Sequence, residues 1–247
     1  MTRVAIVTGA SRGIGRACAL MLAEDGFDIL VNYAGNKVAA DEVVAAVAAR
    51  GRKAVAVQGD VGVEADVLAI FAAADRMGPL KALVNNAGVV DMASRVDAMS
   101  VERLTRMFTI NVVGSFLCAR EAVKRMSIKH GGTGGAIVNL SSIAPTLGAP
   151  GQYVDYAASK GAIDAFTLGL GREVAAEGIR VNAVRPGLIE TDIHASGGIP
   201  DRVAQLADTI PMKRGGSAEE VAEAVRWLVS EKSSYTIGSI ITVSGGR

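Results

Sequence analysis

The sequence predicts an α/β fold: one doubly wound parallel sheet of about seven strands, with helices on both faces. Three observations carry that prediction. Short apolar runs alternate with longer amphipathic stretches along the whole chain, the pattern of strands buried on both faces and joined by crossover helices. Half of the 247 residues are hydrophobic while only 4% are aromatic, which suits close layers of small side chains better than a barrel with aromatic girdles. Turns rich in glycine and asparagine follow the strands, and a sheet of this kind holds its ligand at the strands' carboxyl ends.

Taken in order, residues 3–8 read as a fully buried strand, and a turn of Gly9, Ala10, Ser11, Arg12, Gly13, Ile14 and Gly15 leads into a helix to about residue 25. Glycines let the backbone approach a pyrophosphate, and the unpaired N–H groups of the new helix face that anion. The spacing is Gly-x-x-x-Gly-x-Gly rather than Gly-x-Gly-x-x-Gly, and a glycine turn that merely starts a helix is the plain alternative. A second strand covers 28–33, with a helix to about residue 50. A third covers 53–57 and runs into Gln58-Gly59-Asp60-Val61, with a helix to about residue 77. A fourth, 80–85, closes on Asn85-Asn86-Ala87-Gly88. A long helix from about residue 101 carries Asn111, and a fifth strand, 136–140, delivers Ser141 and Ser142. A helix through Tyr156 continues to about residue 177, and a sixth strand, 179–184, ends in Arg185-Pro186-Gly187. Residues 188–216, with Pro200, Pro211 and several glycines, read as an irregular, mobile insertion. A helix over 218–230 and a strand over 239–243 complete one domain, 1–247, without a linker.

Composition removes several classes of function. With 26 Lys and Arg against 25 Asp and Glu, the formal charge is +1, so no net field favours nucleic acid or an anionic membrane. Cys18 and Cys118 sit among apolar residues and read as buried small hydrophobes of a reducing compartment. The first apolar run begins after three residues and no unbroken 18-residue apolar run occurs, so the cytoplasm is the expected location. His130 and His194 are the only histidines and neither has a partner at ligand spacing, so no metal site is expected.

Tyr156 and Lys160 are four apart and share a helix face. To exchange a proton at neutral pH, a phenol must come down from its usual value near 10, a change of about 4 kcal/mol. One ammonium at ~4 Å in an effective dielectric of about 20 supplies about that much before desolvation. The pair alone carries little weight, because this spacing arises by chance in many helices.

Together, Thr8-Gly9 with Gly13-Ile14-Gly15, Asn85 to Gly88, Asn111, Ser142, Tyr156 with Lys160, and Pro186-Gly187 resemble the short-chain dehydrogenase/reductase superfamily over nearly the whole chain. The resemblance implies a Rossmann-type NAD(P)-binding domain that exchanges hydride between a nicotinamide cofactor and a carbonyl or alcohol substrate. It also implies the roles. Tyr156 would be the general acid or base, and Lys160 would depress its pKa and hold the ribose hydroxyls. Ser142 would bond the substrate oxygen, and Asn111 would hold a relay water. The serine-to-tyrosine spacing of 14 is one longer than in many members, and Ser141 is an alternative to Ser142.

Cofactor contacts are expected from Gly9, Ser11, Arg12, Gly13, Ile14 and Gly15, from Asp60 and Val61 at the adenine, and from Asn86, Ala87 and Gly88. Tyr156, Lys160, Pro186, Gly187, Ile189 and Thr191 would meet the nicotinamide end. At the end of the second strand and just beyond it stand Asn32, Tyr33, Asn36 and Lys37 without a carboxylate, and Asp28 lies at the strand's far end. With Arg12 nearby, NADP(H) is preferred and NAD(H) is possible, unless Arg12 and Lys37 are only solvated surface charges. Within the superfamily the chain resembles the 3-oxoacyl-[acyl-carrier-protein] reductases and the glucose 1-dehydrogenase-like proteins, which implies a 3-oxoacyl thioester, a ketone or a sugar as the expected substrate. Residues 143–152 and the insertion would wall it, and His194 is a candidate contact. Lys124, Arg125, Lys129 and Arg172 could form a docking patch for a carrier protein, or only a solvated helix face. A homotetramer or dimer is implied by the family, and a non-catalytic NADP-binding sensor or scaffold is the alternative function.

Overall fold

The computed structural model describes residues 2–247, apart from the side chain of His194. Seven parallel strands form one sheet: β1 (Val4–Val7), β2 (Asp28–Tyr33), β3 (Ala54–Gln58), β4 (Leu80–Asn85), β5 (Gly135–Leu140), β6 (Ile179–Pro186) and β7 (Ile240–Val243). Their order is β3-β2-β1-β4-β5-β6-β7, so the chain reverses its direction of travel between β1 and β4. A crevice opens at such a switch point, outside the carboxyl ends of the strands.

The helices are α1 (Gly13–Glu24), α2 (Lys37–Ala48), α3 (Glu64–Asp75), α4 (Val101–Phe108), α5 (Gly114–Met126), α6 (Ala144–Leu147), α7 (Val154–Val174), α8 (Ile193–Ser196), α9 (Arg202–Leu206) and α10 (Ala218–Val229). Alternation along the strands divides the core in two. Ala5 and Val7 of β1 pack with α1, α2 and α10 on one face. Val4 and Ile6 pack with α3, α5 and the far end of α7 on the other. Distant parts of the chain close the first layer: Arg226 of α10 donates from Nε to Asp25 just past α1, at 2.8 Å.

Two expectations need correction. The long helix expected from residue 101 runs on to Met126, but not as a uniform α-helix: a π turn over Thr109–Val113 joins α4 to α5. Nothing in its local sequence breaks a helix; the turn is set by Asn111, whose side chain is held by neighbouring elements. The insertion at 188–216 is also more regular than its composition suggested, holding α8, α9 and a bridge between Ile189 and Gly216.

Candidate active site

One wall of the crevice is built from backbone. Gly9 and Gly13 have φ of +61° and +53°, a region in which any side chain would be strained. Gly15 has no room for one, since a Cβ would lie 2.4 Å from Gly9 O and 2.5 Å from Asn86 Nδ2. No side chain caps α1, so the N–H groups of its first turn are left to a ligand, and a helix N-terminus favours an anion. Thr8 Oγ1 accepts from Asn86 N and Ala87 N at 3.0 Å each, and Asn86 Nδ2 donates to Thr8 O at 2.9 Å. Those bonds lock the end of β4 to the end of β1 and set Ala87 and Gly88 along the groove.

At the end of β2, the expected side chains are occupied with structure. Asn32 is buried; its Oδ1 accepts from Gly9 N at 3.2 Å and its Nδ2 donates to Gly59 O at 3.0 Å. It therefore joins three strand ends and presents no free amide. Asn36 caps α2, accepting from Ala39 N at 3.0 Å. Lys37 donates to Asp41 at 2.6 Å, and Arg12 stands 3.8 Å from Asp192 with both side chains largely exposed. Tyr33 and Val61 are buried, whereas Asp60 is exposed with its Oδ1 accepting from Gly62 N at 2.8 Å.

The other wall is built from side chains. Lys160 is buried on α7 and donates from Nζ to Leu140 O at 2.7 Å. Asn111 Oδ1 accepts from Val89 N at 2.7 Å, while its Nδ2 donates to Val89 O at 2.9 Å and to Ser159 Oγ at 3.1 Å. With the Asn111 amide so engaged, the atom of this residue left for a water is the backbone carbonyl, which also accepts from Ser115 Oγ at 3.2 Å. A Cβ built on Gly88 would lie 3.3 Å from Asn111 Oδ1 and 3.5 Å from Lys160 Nζ, so the two walls meet there.

Of the two serines, Ser141 is buried and donates to Asp164 at 2.5 Å. Ser142 shares a hydrogen bond with Tyr156 that favours the phenolate, and its Oγ accepts from Ala144 N at 3.1 Å. The geometry thus turns Ser142, not Ser141, to the tyrosine.

The electrostatics differ from the simple expectation. Burial raises the Tyr156 pKa above its usual value, and the Ser142 bond only partly opposes that. Burial also lowers Lys160 to about 8, with Asp164 pulling the other way. The Nζ is 5.8 Å from the centre of the Tyr156 ring. Desolvation is the larger cause for each group, so the phenol is pushed up rather than down, the opposite of the expected depression.

Ser142, Tyr156, Lys160, Pro186, Gly187 and Thr191 line one cleft of about 490 Å³, together with Ile14, Asn86, Gly88 and Ile189. Thr191 reaches back to the glycine turn, with its Cγ2 3.3 Å from a Cβ built on Gly13. Sequence reasoning missed Arg202 and Arg247, which line the same cleft, and Asp164 beneath Lys160. Asp164 was visible as a carboxylate four residues after Lys160; nothing in the sequence signalled the two arginines. The His194 side chain lies outside the described residues. Of the proposed docking cations, Lys124 pairs with Glu121, Arg125 with Asp75 and Lys129 with Glu177 at 2.6–2.8 Å.

A glycine-turned crevice facing a half-buried tyrosine and a buried lysine is the layout of a nicotinamide-dependent oxidoreductase, and a family described as enoyl-(acyl carrier protein) reductase matches residues 9–247. The chain belongs to the short-chain dehydrogenase/reductase superfamily and is an oxidoreductase acting on C=O and CH–OH groups. Membership implies a nicotinamide cofactor.

Among relatives, it is 56% identical over 245 residues to the uncharacterised oxidoreductase YgfF of Escherichia coli K12, covering 99% of both chains. It is 38% identical over 248 residues to the 3-oxoacyl-[acyl-carrier-protein] reductase FabG of Staphylococcus aureus Mu50, covering 100% of this chain and 98% of that one. The solved acetoin dehydrogenase from Enterobacter cloacae superposes with a TM-score of 0.89 at 35% identity, covering 100% and 95%.

Proposed function

We propose that the chain is an NADP(H)-dependent reductase of small ketones, working reversibly on the corresponding secondary alcohols. The observation that carries this reading is the convergence of Ser142, Tyr156 and Lys160 on one modest cleft beside the uncapped start of α1. The residues fit a dinucleotide: the glycine turn leaves space and bare N–H groups where a pyrophosphate would lie. The nicotinamide supplies hydride exchange. Gly9 to Gly15 hold the pyrophosphate, and Pro186, Gly187, Ile189 and Thr191 face the nicotinamide end. Lys160 directs the Nζ protons not bonded to Leu140 towards the ribose. Ser142 orients the substrate oxygen, and Tyr156 donates its Oη proton to the alkoxide as it forms, or takes it back in oxidation. The ammonium stabilises the tyrosinate left behind, and a water on the Asn111 carbonyl links Lys160 to solvent.

The preference for NADP(H) rests on the absence of a carboxylate after β2 and on Arg12, whose weak pairing with Asp192 leaves it able to turn to a 2′-phosphate. A small ketone suits the cleft better than a carrier-bound acyl chain, because three of the four candidate docking cations, Lys124, Arg125 and Lys129, are paired with carboxylates of the fold. Two exposed apolar faces, one with Phe116 and Leu168 and one with Trp227, Tyr235 and Ile237, supply the separate two-fold contacts of a tetramer. The two cysteines are free and buried, in keeping with the cytoplasm.

Purified protein and its Tyr156→Phe variant, assayed with NADPH and NADH against acetoin, diketones, acetoacetyl thioesters and glucose, test the reading. Expected is NADPH-linked turnover of small ketones, reduced about 10²–10⁴-fold in the variant. Equal use of NADH overturns the cofactor assignment, thioester-only turnover overturns the substrate class, and full activity in Tyr156→Phe overturns the mechanism.

A further inference from the structure

Two arginines in the cleft have no role in the chemistry described so far. Arg202 of α9 and Arg247 both line the cavity that holds Ser142 and Tyr156. Both are half-buried, and among the described residues neither forms an ion pair. Arg202 is oriented by neutral partners: its Nη2 donates to Gln152 Oε1 at 2.8 Å, and its guanidinium lies 5.1 Å over the Tyr153 ring. Tyr153 is fixed in turn by donating from Oη to Gly197 O at 3.3 Å.

Arg247 is delivered by a tight reversal of the chain. Gly245 and Gly246 have φ of +64° and +91°, and Cβ atoms there would come within 2.9 Å of Ile210 and 3.1 Å of Pro211. Ser244 Oγ donates to Arg247 O at 3.1 Å. The Nη1 of Arg247 is buried with no hydrogen-bond partner among the described residues. Burial and the nearby positive charge of Arg202 both pull the Arg247 pKa down, which places the two cations within interaction range of each other. A guanidinium cannot shed its proton at neutral pH, so this pair stays doubly charged in a largely apolar wall. Such an arrangement is costly unless an anion joins it.

We propose that Arg202 and Arg247 form an anion seat, and that the substrate is a small oxo compound, or its alcohol, carrying a carboxylate or phosphate. The proposal rests on the reductase reading above: the carbonyl faces Ser142 and Tyr156 while the anionic end sits on the two guanidiniums. Planar forked donors are suited to bidentate recognition of either group.

The test compares kcat/KM with NADPH for a series of oxo acids of increasing length against their methyl esters, and for dihydroxyacetone phosphate against dihydroxyacetone. Wild-type protein, Arg247→Met, Arg202→Met and Arg76→Met, a remote surface control on α3's end, are run in parallel. Expected is at least a tenfold preference for one charged member over its neutral counterpart, falling towards unity in either cleft variant and unchanged in Arg76→Met. The acid and phosphate arms then say which anion the seat takes.

Esters used as well as acids while turnover persists overturn the anion seat and leave the reductase reading intact. Loss of NADPH affinity in Arg247→Met with the charge preference retained also overturns it, because the pair would then serve the cofactor. Should nothing turn over, the reductase reading fails, and calorimetry on cofactor-loaded protein decides the seat. Pentanoate binding at least tenfold tighter than pentanamide, lost in Arg247→Met, supports it; equal binding overturns it.

Discussion

The two walls of the cleft are made in opposite ways. The wall from β1, α1 and the end of β4 works by what it lacks: side chains are missing at Gly9, Gly13 and Gly15, and the exposed backbone offers its N–H groups. The wall from β5 and α7 works by what it buries, an ammonium removed from water beside a half-buried phenol. The first should tolerate no added atom, whereas the second should become more stable when its functional atoms are taken away.

Lys160→Met breaks the comparison most directly. Activity should fall at least about a hundredfold, since the proton-transferring tyrosine loses its cation. Stability should rise. Lys160 carries a folded-state pKa lowered from 10.5 to about 8, so below pH 8 it is charged in both states and the folded protein bears the whole desolvation cost. That cost is about 3 kcal/mol by linkage, less what the lost bond to Leu140 O gives back. Urea denaturation at pH 7 should show the variant about 1–3 kcal/mol more stable. The gap should close between pH 8 and 10.5, where the folded wild-type protein releases its proton before the unfolded chain does. A destabilised variant at pH 7 would contradict this account of the wall.

On the backbone wall, Gly15→Ala should cost about 1–3 kcal/mol through overpacking against Gly9 O and Asn86, read by denaturation, with NADPH affinity falling alongside. Unchanged stability and affinity would show that the turn has slack. The pH profile sharpens the contrast further: kcat/KM for reduction should hold up to about pH 8 and then fall about tenfold for each further unit as Lys160 loses its proton. A falling limb above pH 10 would mean that cofactor contacts restore the lysine to its ordinary range. The smallest expected effect is Asn36→Ala, about 1 kcal/mol in stability for the lost cap of α2, with cofactor selectivity nearly unaltered. A large loss of NADPH selectivity would return Asn36 to the phosphate site.

Legibility in the sequence divides along the same line. Strand positions and the glycine turn were readable because each is a local pattern: an apolar run, a turn, an amphipathic stretch. Tyr156 and Lys160 were readable because four residues on a helix bring two side chains to one face. The π turn at Asn111 was not, since it depends on bonds from that amide to Val89 and Ser159, 22 and 48 residues away in sequence. Asn32 was misread as a donor free for a phosphate for the same reason; its partners, Gly9 and Gly59, lie at the ends of two other strands. The direction of the Tyr156 and Lys160 shifts was hidden as well. Spacing gives their proximity, but only packing tells how far water has been removed.

The bond between Asp25 and Arg226, 201 residues apart, has a consequence for the order of assembly on the ribosome. Helix α1, whose first turn faces the cofactor, shares its core layer with α10, and β1 lacks its neighbour β4 until the chain has passed residue 80. The half that carries the most recognisable motif is therefore synthesised first and completed last. A nascent chain of two hundred residues would already contain the glycine turn yet leave uncovered the flank of α1 that packs on α10. Non-local closure of this kind slows folding and prolongs exposure of apolar surface.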